Sequence, residues 1–329
     1  MNIRSILSAV KVVIGLNPKL CGKPSESRKC IPDSYKSVCL ISADFEMAWA
    51  FVHSKQTKKD RDRAVRLGLQ TRSNLPKILD LCDKYNIPLT WATVGHLFLD
   101  SCSHDNGEKH ANLPRIPYFE NEFWEYQAGD WFDSDPCTDC KTNPAYYASD
   151  LIDRIAVSKA RHEIGCHTFS HIDCSDTNCP TPVLEAEIRE CQALAENRNI
   201  ILKSFVHPGH QIGHLEDLHR LGFASYRTNN GDVLGNPVKH KSGLWEFQNT
   251  AELVYRAGWP DKLNMYKYRR IINRAIRHHK LLVFWFHPSF DDKSLEKVFL
   301  PVLKLLDAKR KDIWITTHAE YASYLNAQE

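Results

Sequence analysis

The strongest constraint in this sequence is an alternation. Seven short runs rich in β-branched and aromatic residues, at 38–43, 88–94, 163–167, 202–207, 224–228, 282–287 and 312–316, are separated by longer stretches with helical periodicity. Strands joined through helices are expected to run parallel, because each crossover returns the chain to the same end of the sheet. Most of the runs are nearly apolar throughout, LLVFWF being the extreme case, as expected of strands covered on both faces. Helical patterns fall at 64–85, 148–160, 181–197, 266–277 and 295–309. In the clearest, 181–197, Thr181 is expected to cap, Pro182 to sit in the first turn, and Leu184, Ile188, Cys191 and Ala195 to form one apolar stripe. The class is therefore α/β. The segment 100–147 breaks the alternation: it is dense in Trp, Tyr, Phe, Asp and Pro and reads as a long insertion of the kind that shapes a binding cleft.

With 329 residues, 43% of them hydrophobic, the chain can bury a full core in one large domain or two smaller ones. A net charge of +3 is too mild to imply a nucleic-acid partner, and the short run KKDRDR reads as solvated surface. Eleven cysteines, an odd count, cannot all pair within the chain, which favours reduced thiols in a cytoplasmic setting. Cys137 and Cys140 form a CxxC, and Cys166, Cys174 and Cys179 lie downstream. Without a second CxxC or CxxH at regular spacing, these read as unrelated thiols rather than a structural zinc site. The N-terminal MNIRSILSAVKVVIGLNPKL is interrupted by Lys11 and lacks a clear cleavage pattern. Its Ile6, Leu7, Val10, Val13 and Ile14 share one helical face that could lie on a membrane surface.

The polar residues fall at the predicted strand ends, where active sites of parallel α/β folds gather. ISADFEMAW brings Asp44 and Glu46, two apart on an extended chain and so on one side of it. HEIGCHTFSH brings His167 and His171, SFVHPGH brings His207, Pro208 and Gly209, and LLVFWFHP brings His287. Spacing alone is weak support for a histidine pair, since 16 His in 329 residues give roughly 0.8 such pairs by chance, and His210 with His214 repeats the spacing. One carboxylate and two imidazoles nevertheless match the three protein ligands of a catalytic zinc, with a further carboxylate and histidine left over as base and acid.

In order and spacing these motifs resemble the polysaccharide deacetylase family, the NodB-like carbohydrate esterases. SADFEMAW is similar to the family's acidic pair, HTFSH to its His-xxx-His motif, and LLVFWFHP to its last apolar strand. PLTWATVGHLF and DIWITTHAEYASYL resemble its second strand and its final strand and helix. The resemblance implies a single-domain distorted (β/α) barrel of about seven parallel strands over 36–329, preceded by an extension at 1–35, with the active site at the carboxyl ends of the strands. It assigns Glu46, His167 and His171 to the metal, Asp44 to the base and His287 to the acid. Trp49, His207, Pro208 and Gly209 are the expected substrate-binding residues. The cofactor implied is a divalent metal, zinc by default, with cobalt, manganese or iron compatible with the same donors.

The family's third motif usually carries an Arg where Val206 stands; His207 or Arg227 could take its place. Trp259 is a candidate for the fourth motif. The implied activity is metal-dependent removal of the N-acetyl group from an amino sugar in a polysaccharide, glycan precursor or linked sugar, with release of acetate. The alternatives are a small-amide amidohydrolase of the same fold and a non-catalytic member binding a glycan or partner. A cytoplasmic location, peripheral to the membrane through the N-terminus, is the accompanying expectation.

Overall fold

The computed structural model of the protein describes residues 18–57, 60, 62–229 and 233–329. The amphipathic face of Ile6, Leu7, Val10, Val13 and Ile14 lies outside the described residues. Nine parallel strands make the central sheet: β1 (Ser37–Phe45), β2 (Thr90–Thr93), β3 (Glu163–Cys166), β4 (Ser204–Val206), β5 (Ser225–Thr228), β6 (Trp245–Gln248), β7 (Ala251–Glu252), β8 (Leu281–Phe286) and β9 (Ile313–Thr316). All seven expected runs are strands. β6 and β7 are additional: WEFQ alternates between buried and half-buried positions, and AE has only two residues, so neither reads as an apolar run.

The order is β6-β5-β4-β3-β2-β1-β8-β7, with Val238–Lys239 antiparallel on the outer edge of β6. β1 is the hub. β8 pairs with Val38 to Ala43 along one edge, while the other edge is shared by β9, paired from Ser37 to Leu40, and β2, paired from Ser42 to Phe45. The sheet curls into an open, distorted barrel flanked by α1 (Arg63–Tyr85), α2 (Ser149–Ala156), α3 (Thr181–Glu196), α4 (Leu215–Arg220), α5 (Asp261–His278), α6 (Leu300–Ala308) and α7 (His318–Asn326). No described helix is long and apolar enough to cross a membrane.

Helix interiors follow the sequence better than helix ends do. Leu184, Ile188, Cys191 and Ala195 are buried as one stripe of α3, but Pro180 occupies its N-cap position. Thr181 is the first helical residue, its hydroxyl near His214 and Asp217. The pattern at 295–309 opens as a π-turn, Leu295–Phe299, before α6. Pro301 has no N–H to return to Lys297, and the wider turn accommodates the missing bond.

Strand periodicity divides the interior. On β1, Cys39, Ile41, Ala43 and Phe45 pack outward into the large core beneath the helices. Val38 and Leu40 face inward with Trp245, Phe247, Leu281 and Val283, and α7 plugs that end with Tyr321, Ala322 and Leu325. The same inner face continues upward as Ser42 and Asp44 on β1 and as Trp285 and then His287 beyond Val283. The inner face thus changes from apolar to polar along its length.

His162 precedes β3, and its Nδ1 accepts a hydrogen bond from the Leu89 N–H at 2.9 Å, which requires the neutral ring. Burial lowers its pKa to about 4, against an ordinary value of 6.5. The unfolded chain therefore binds a proton that the folded chain refuses below pH ~6.5, so stability falls as pH drops from there towards 4. Urea denaturation of the wild type should lose roughly 1–2 kcal/mol at this residue between pH 7.5 and 5. A His162→Gln variant should lose less over the same interval, and an equal loss in both would exclude this origin.

Candidate active site

At the carboxyl end of the barrel each strand hands over a polar group. β1 delivers Asp44 and, just past the strand, Glu46, both buried. β3 ends at Cys166 and His167 follows. From His167 to His171 the chain is a tight loop rather than a helix, with φ of 58° at Thr168 and 60° at His171. Such left-handed backbone costs a non-glycine residue of order 1–2 kcal/mol, and this loop is tied down at several points. Gly95 and His96 donate their N–H groups to the carbonyls of Thr168 and Phe169, at 2.8 and 2.9 Å. Ser170 donates through N and Oγ to the two oxygens of buried Glu187, at 2.8 and 2.7 Å. Burial raises the Glu187 pKa to about 7 against the pull of these bonds.

Nε2 of His167 and Nε2 of His171 lie 2.9 and 3.1 Å from the same atom, Oε1 of Glu46. Nδ1 of His167 is 2.6 Å from the Val206 carbonyl, so it carries the proton and donates. Its Nε2 lone pair then faces a carboxylate lone pair, an arrangement that repels unless a cation stands between the two. Outward N–H anchoring with an inward lone pair is the usual posture of a metal-binding histidine. Glu46, His167 and His171 thus form a divalent-metal-binding site. Burial alone would raise the Glu46 pKa, but the imidazoles of His287 and His171 hold it well below the usual carboxylate range.

Asp44 is gripped by a buried guanidinium. Arg227, on the inner face of β5, donates from Nη1 to Oδ1 at 2.5 Å and from Nη2 to Oδ2 at 2.7 Å; Nη1 also donates to Ser42 Oγ at 2.7 Å. Against the cost of burial, Arg227 lowers the Asp44 pKa and keeps the carboxylate ionised. Of the two groups that could replace the missing Arg, the structure selects Arg227. His207 is buried instead with Nε2 3.0 Å from the Gly213 carbonyl.

His287 stands with Nε2 3.7 Å from Glu46 Oε2 and Nδ1 3.8 Å from Glu252 Oε1. Burial disfavours its cation, but the Glu46 carboxylate and then Glu252 outweigh this and raise its pKa to about 9. Asp44, Glu46, His171 and His287 line a cleft of about 280 Å³ together with Ala50, Phe51, Ser54, Gln56, Arg63, Phe123, Trp124, Gly209 and His210.

The five residues expected to do chemistry come together; the expected substrate-binding group does so only in part. Gly209 lines the cleft. It has φ of 54°, and a Cβ there would fall 2.6 Å from Trp124 Cη2, so glycine lets the indole close in. Trp49 is a correction: it is buried against His96, Phe132 and Tyr146, with Nε1 bonded to the Tyr146 carbonyl, and has no face for a sugar. His207 and Pro208 are buried behind the cleft wall and do not line it.

Of the competing pair, His210 lines the cleft, while His214 turns away to the Cys179 carbonyl and Asp217. Trp259 is also absent from the lining. Trp285, on the inner face of β8, stacks under the Arg227 guanidinium at 5.2 Å. Trp124, Phe123, Phe51 and Arg63 carry no motif in the sequence, and long-range folding alone recruits them. Trp124 comes from the 100–147 segment, which pairs with the loop after β1 through Ser54 and Lys55 and sets the Trp124 ring edge-on to His171, 5.2 Å between centroids.

A curled parallel barrel with a two-histidine, one-carboxylate metal site and a separate ionised carboxylate is consistent with a metal-dependent hydrolase. Residues 62–208 match the family model described as Polysaccharide deacetylase. The matched segment contains His167 and His171, whereas Asp44, Glu46 and His287 lie outside it and are joined to it by the fold. Similar solved structures include a Mycobacterium smegmatis protein assigned to the polysaccharide deacetylases, at TM-score 0.60 and 14% identity over 95% of each chain. A Pseudomonas aeruginosa PAO1 protein assigned likewise superposes with TM-score 0.61 and 11% identity, over 91% of this chain and 94% of that one. Puue Allantoinase superposes with TM-score 0.60 and 12% identity, over 91% and 93%. At these identities the likeness is one of fold. No curated protein matches the sequence.

The His167→Ala, His171→Ala double variant should lose the metal of this site, whereas His210→Ala with His214→Ala should keep it, as read by metal analysis of the purified proteins. Removing Arg227 strands a buried carboxylate, which typically costs ~3–5 kcal/mol. Arg227→Ala should therefore be strongly destabilised in urea denaturation, and adding Asp44→Asn should restore a large part of the loss. Additive losses in the double variant would show that the pair is not coupled.

Proposed function

We propose that this protein is a metal-dependent N-deacetylase that hydrolyses the acetamido group of an N-acetylated amino sugar, in a polysaccharide, glycan precursor or linked sugar, and releases acetate. The observation that carries the reading is the Arg227-locked Asp44 carboxylate and the His287 imidazole, whose polar atoms lie within 4.8 Å of each other and of Glu46, beside the Glu46–His167–His171 group. Glu46, His167 and His171 would hold the cation, zinc by default with cobalt, manganese or iron suited to the same donors. The cation, when bound, supplies Lewis acidity and a water whose pKa is lowered towards ~7.

Asp44 accepts the proton of the attacking water. Arg227 occupies one lone pair on each Asp44 oxygen and leaves the others free for that proton. It also holds the carboxylate in one orientation, which a general base needs. His287, facing the site through Nε2 and in its protonated form, donates its proton to the departing amine. Glu252 keeps the imidazole from turning away. Phe51, Phe123 and Trp124 give the cleft apolar walls that exclude water and can flank a pyranose ring or an acetyl methyl. The presence of both acid and base, with a replacement for the missing arginine, weighs against a non-catalytic binding role.

His287→Ala should lower kcat on an N-acetylated sugar oligomer by about 10²–10⁴-fold, the usual general-acid contribution. Hydrolysis of an aryl acetate, whose leaving group needs no proton, should fall far less. Equal losses on both substrates would remove His287 from the acid role. Turnover confined to small cyclic or linear amides, with no acetate released from any N-acetylated sugar, would favour an amidohydrolase.

A further inference from the structure

A second group of metal-competent side chains lies outside the cleft. We propose that His96, Cys102, His110 and Asp135 form a structural zinc site that clamps the 100–147 segment onto the barrel. Their donor atoms lie within 4.8 Å of one another. Nε2 of His96 and Nε2 of His110 are 3.2 and 2.8 Å from the same oxygen, Oδ2 of Asp135, and Cys102 Sγ is 3.4 Å from it. Around a tetrahedral zinc such donors sit about 3.3–3.7 Å apart, given the usual Zn–N and Zn–S lengths. A modest outward relaxation of the present cluster reaches that spacing.

The supporting bonds have the form expected around a metal. His96 is fully buried, and its Nε2 lacks hydrogen-bond geometry to any group despite its closeness to Asp135: it and Oδ2 point to a common locus more than at each other. His96 Nδ1 is 3.3 Å from the Tyr146 carbonyl, to which it donates, leaving Nε2 as the lone pair. Asp135 Oδ1 accepts from the Cys137 N–H at 2.9 Å and the Tyr147 hydroxyl at 3.2 Å, which turns Oδ2 to the two histidines and Cys102. Anchoring the second atom of His96 and of Asp135 in this way fixes tautomer and orientation. His110 has φ of 49°, a strained backbone that a ligand bond would help to hold.

The charges also balance. Cys102 gives up its thiol proton to solvent on binding, so one thiolate, one carboxylate and two neutral imidazoles cancel a divalent cation. Four protein ligands in a buried setting leave no open position, the mark of a structural site.

The four ligands span the segment. His96 is in the turn Gly95–Phe98 after β2, Cys102 and His110 stand near the start of the segment, and Asp135 near its end. Phe169, inside the His167-to-His171 loop, packs its ring 5.5 Å from His96 and 5.1 Å from His110. A metal here would therefore brace the loop that carries two catalytic-site ligands as well as the segment that supplies Trp124. The expectation that these cysteines are unrelated holds for Cys140, which turns to Arg72 and Asp150. Cys102, which no CxxC pattern marks, lies outside that expectation. Cys137 Sγ, 3.0 Å from Cys102 Sγ, stands outside the group of four.

The test separates the two sites by their donors, because only this one contains a thiolate. Full-length protein should hold about two zinc ions per chain, and the His167→Ala, His171→Ala variant about one. Loaded with cobalt(II), both proteins should show a thiolate-to-metal charge-transfer band in the near ultraviolet. That band should vanish in Cys102→Ser and persist in Cys137→Ser. Absence of the band from cobalt-loaded wild type, with Cys102 and Cys137 recovered as a disulfide that a reductant opens, would overturn the proposal. So would zinc content that falls to none in the His167→Ala, His171→Ala variant. If Cys102→Ser does not fold, the cobalt spectrum of the His167→Ala, His171→Ala variant decides: its band supports the site and its absence overturns it.

Discussion

Two carboxylates two residues apart at the carboxyl end of a fully buried strand are the constraint around which this molecule is organised. Neither Asp44 nor Glu46 can be ionised in such a place without compensation, since an unpaired buried charge costs several kcal/mol. The fold meets the requirement twice by different means. Asp44 receives a guanidinium in bidentate geometry from β5, across the barrel interior. Glu46 receives three imidazoles, two close enough to share a cation with it. The first solution makes a rigid, charged carboxylate and the second a metal site. Both depend on β1 being the hub of the sheet, with β8, β2 and β9 all paired to it.

The same strand shows how a stable barrel carries a polar site. Its lower inner face, Val38 and Leu40, is sealed by Phe247, Val283 and α7, so water is kept from the interior. Only above that plug does the inner face become polar. Arg227 and Trp285 mark the boundary, the guanidinium stacked on the indole and bonded to Ser42 and Asp44. The loop from His167 to His171 is held by the opposite strategy. Its left-handed residues are strained, and the loop is fixed by N–H groups of Gly95, His96 and Trp131 that donate to its carbonyls and by Ser170, which donates to Glu187. Stored strain at a ligand-bearing loop, offset by its neighbours, is a common feature of functional sites.

Much of this was legible in the sequence. The seven apolar runs are all strands, because a strand covered on both faces must be apolar at nearly every position, a condition that local composition displays directly. Asp44, Glu46, His167, His171 and His287 were legible because they stand at the ends of such runs, where parallel folds expose side chains. Helix interiors were legible from their stripes, while helix ends were not: the π-turn before α6 and the position of Thr181 in α3 depend on backbone bonds that periodicity does not report. Trp49 misled because a tryptophan beside an acidic pair reads equally well as a platform or as core, and only packing against His96 and Tyr146 distinguishes them.

The chain's sequence by itself thus determined the α/β class, the direction of the strands and the set of five groups at their carboxyl ends, since each of these follows from periodicity within a few residues. Tertiary structure alone decided the rest. It chose Arg227, 183 residues from Asp44, as that carboxylate's partner, put Trp124 on the cleft, sent His214 elsewhere and gathered His96, Cys102, His110 and Asp135 from separate loops. The physical reason is that burial and pairing are properties of space, not of neighbours along the chain. A guanidinium or an imidazole acquires its role from which charge lies across the barrel, and only the closed sheet fixes that distance.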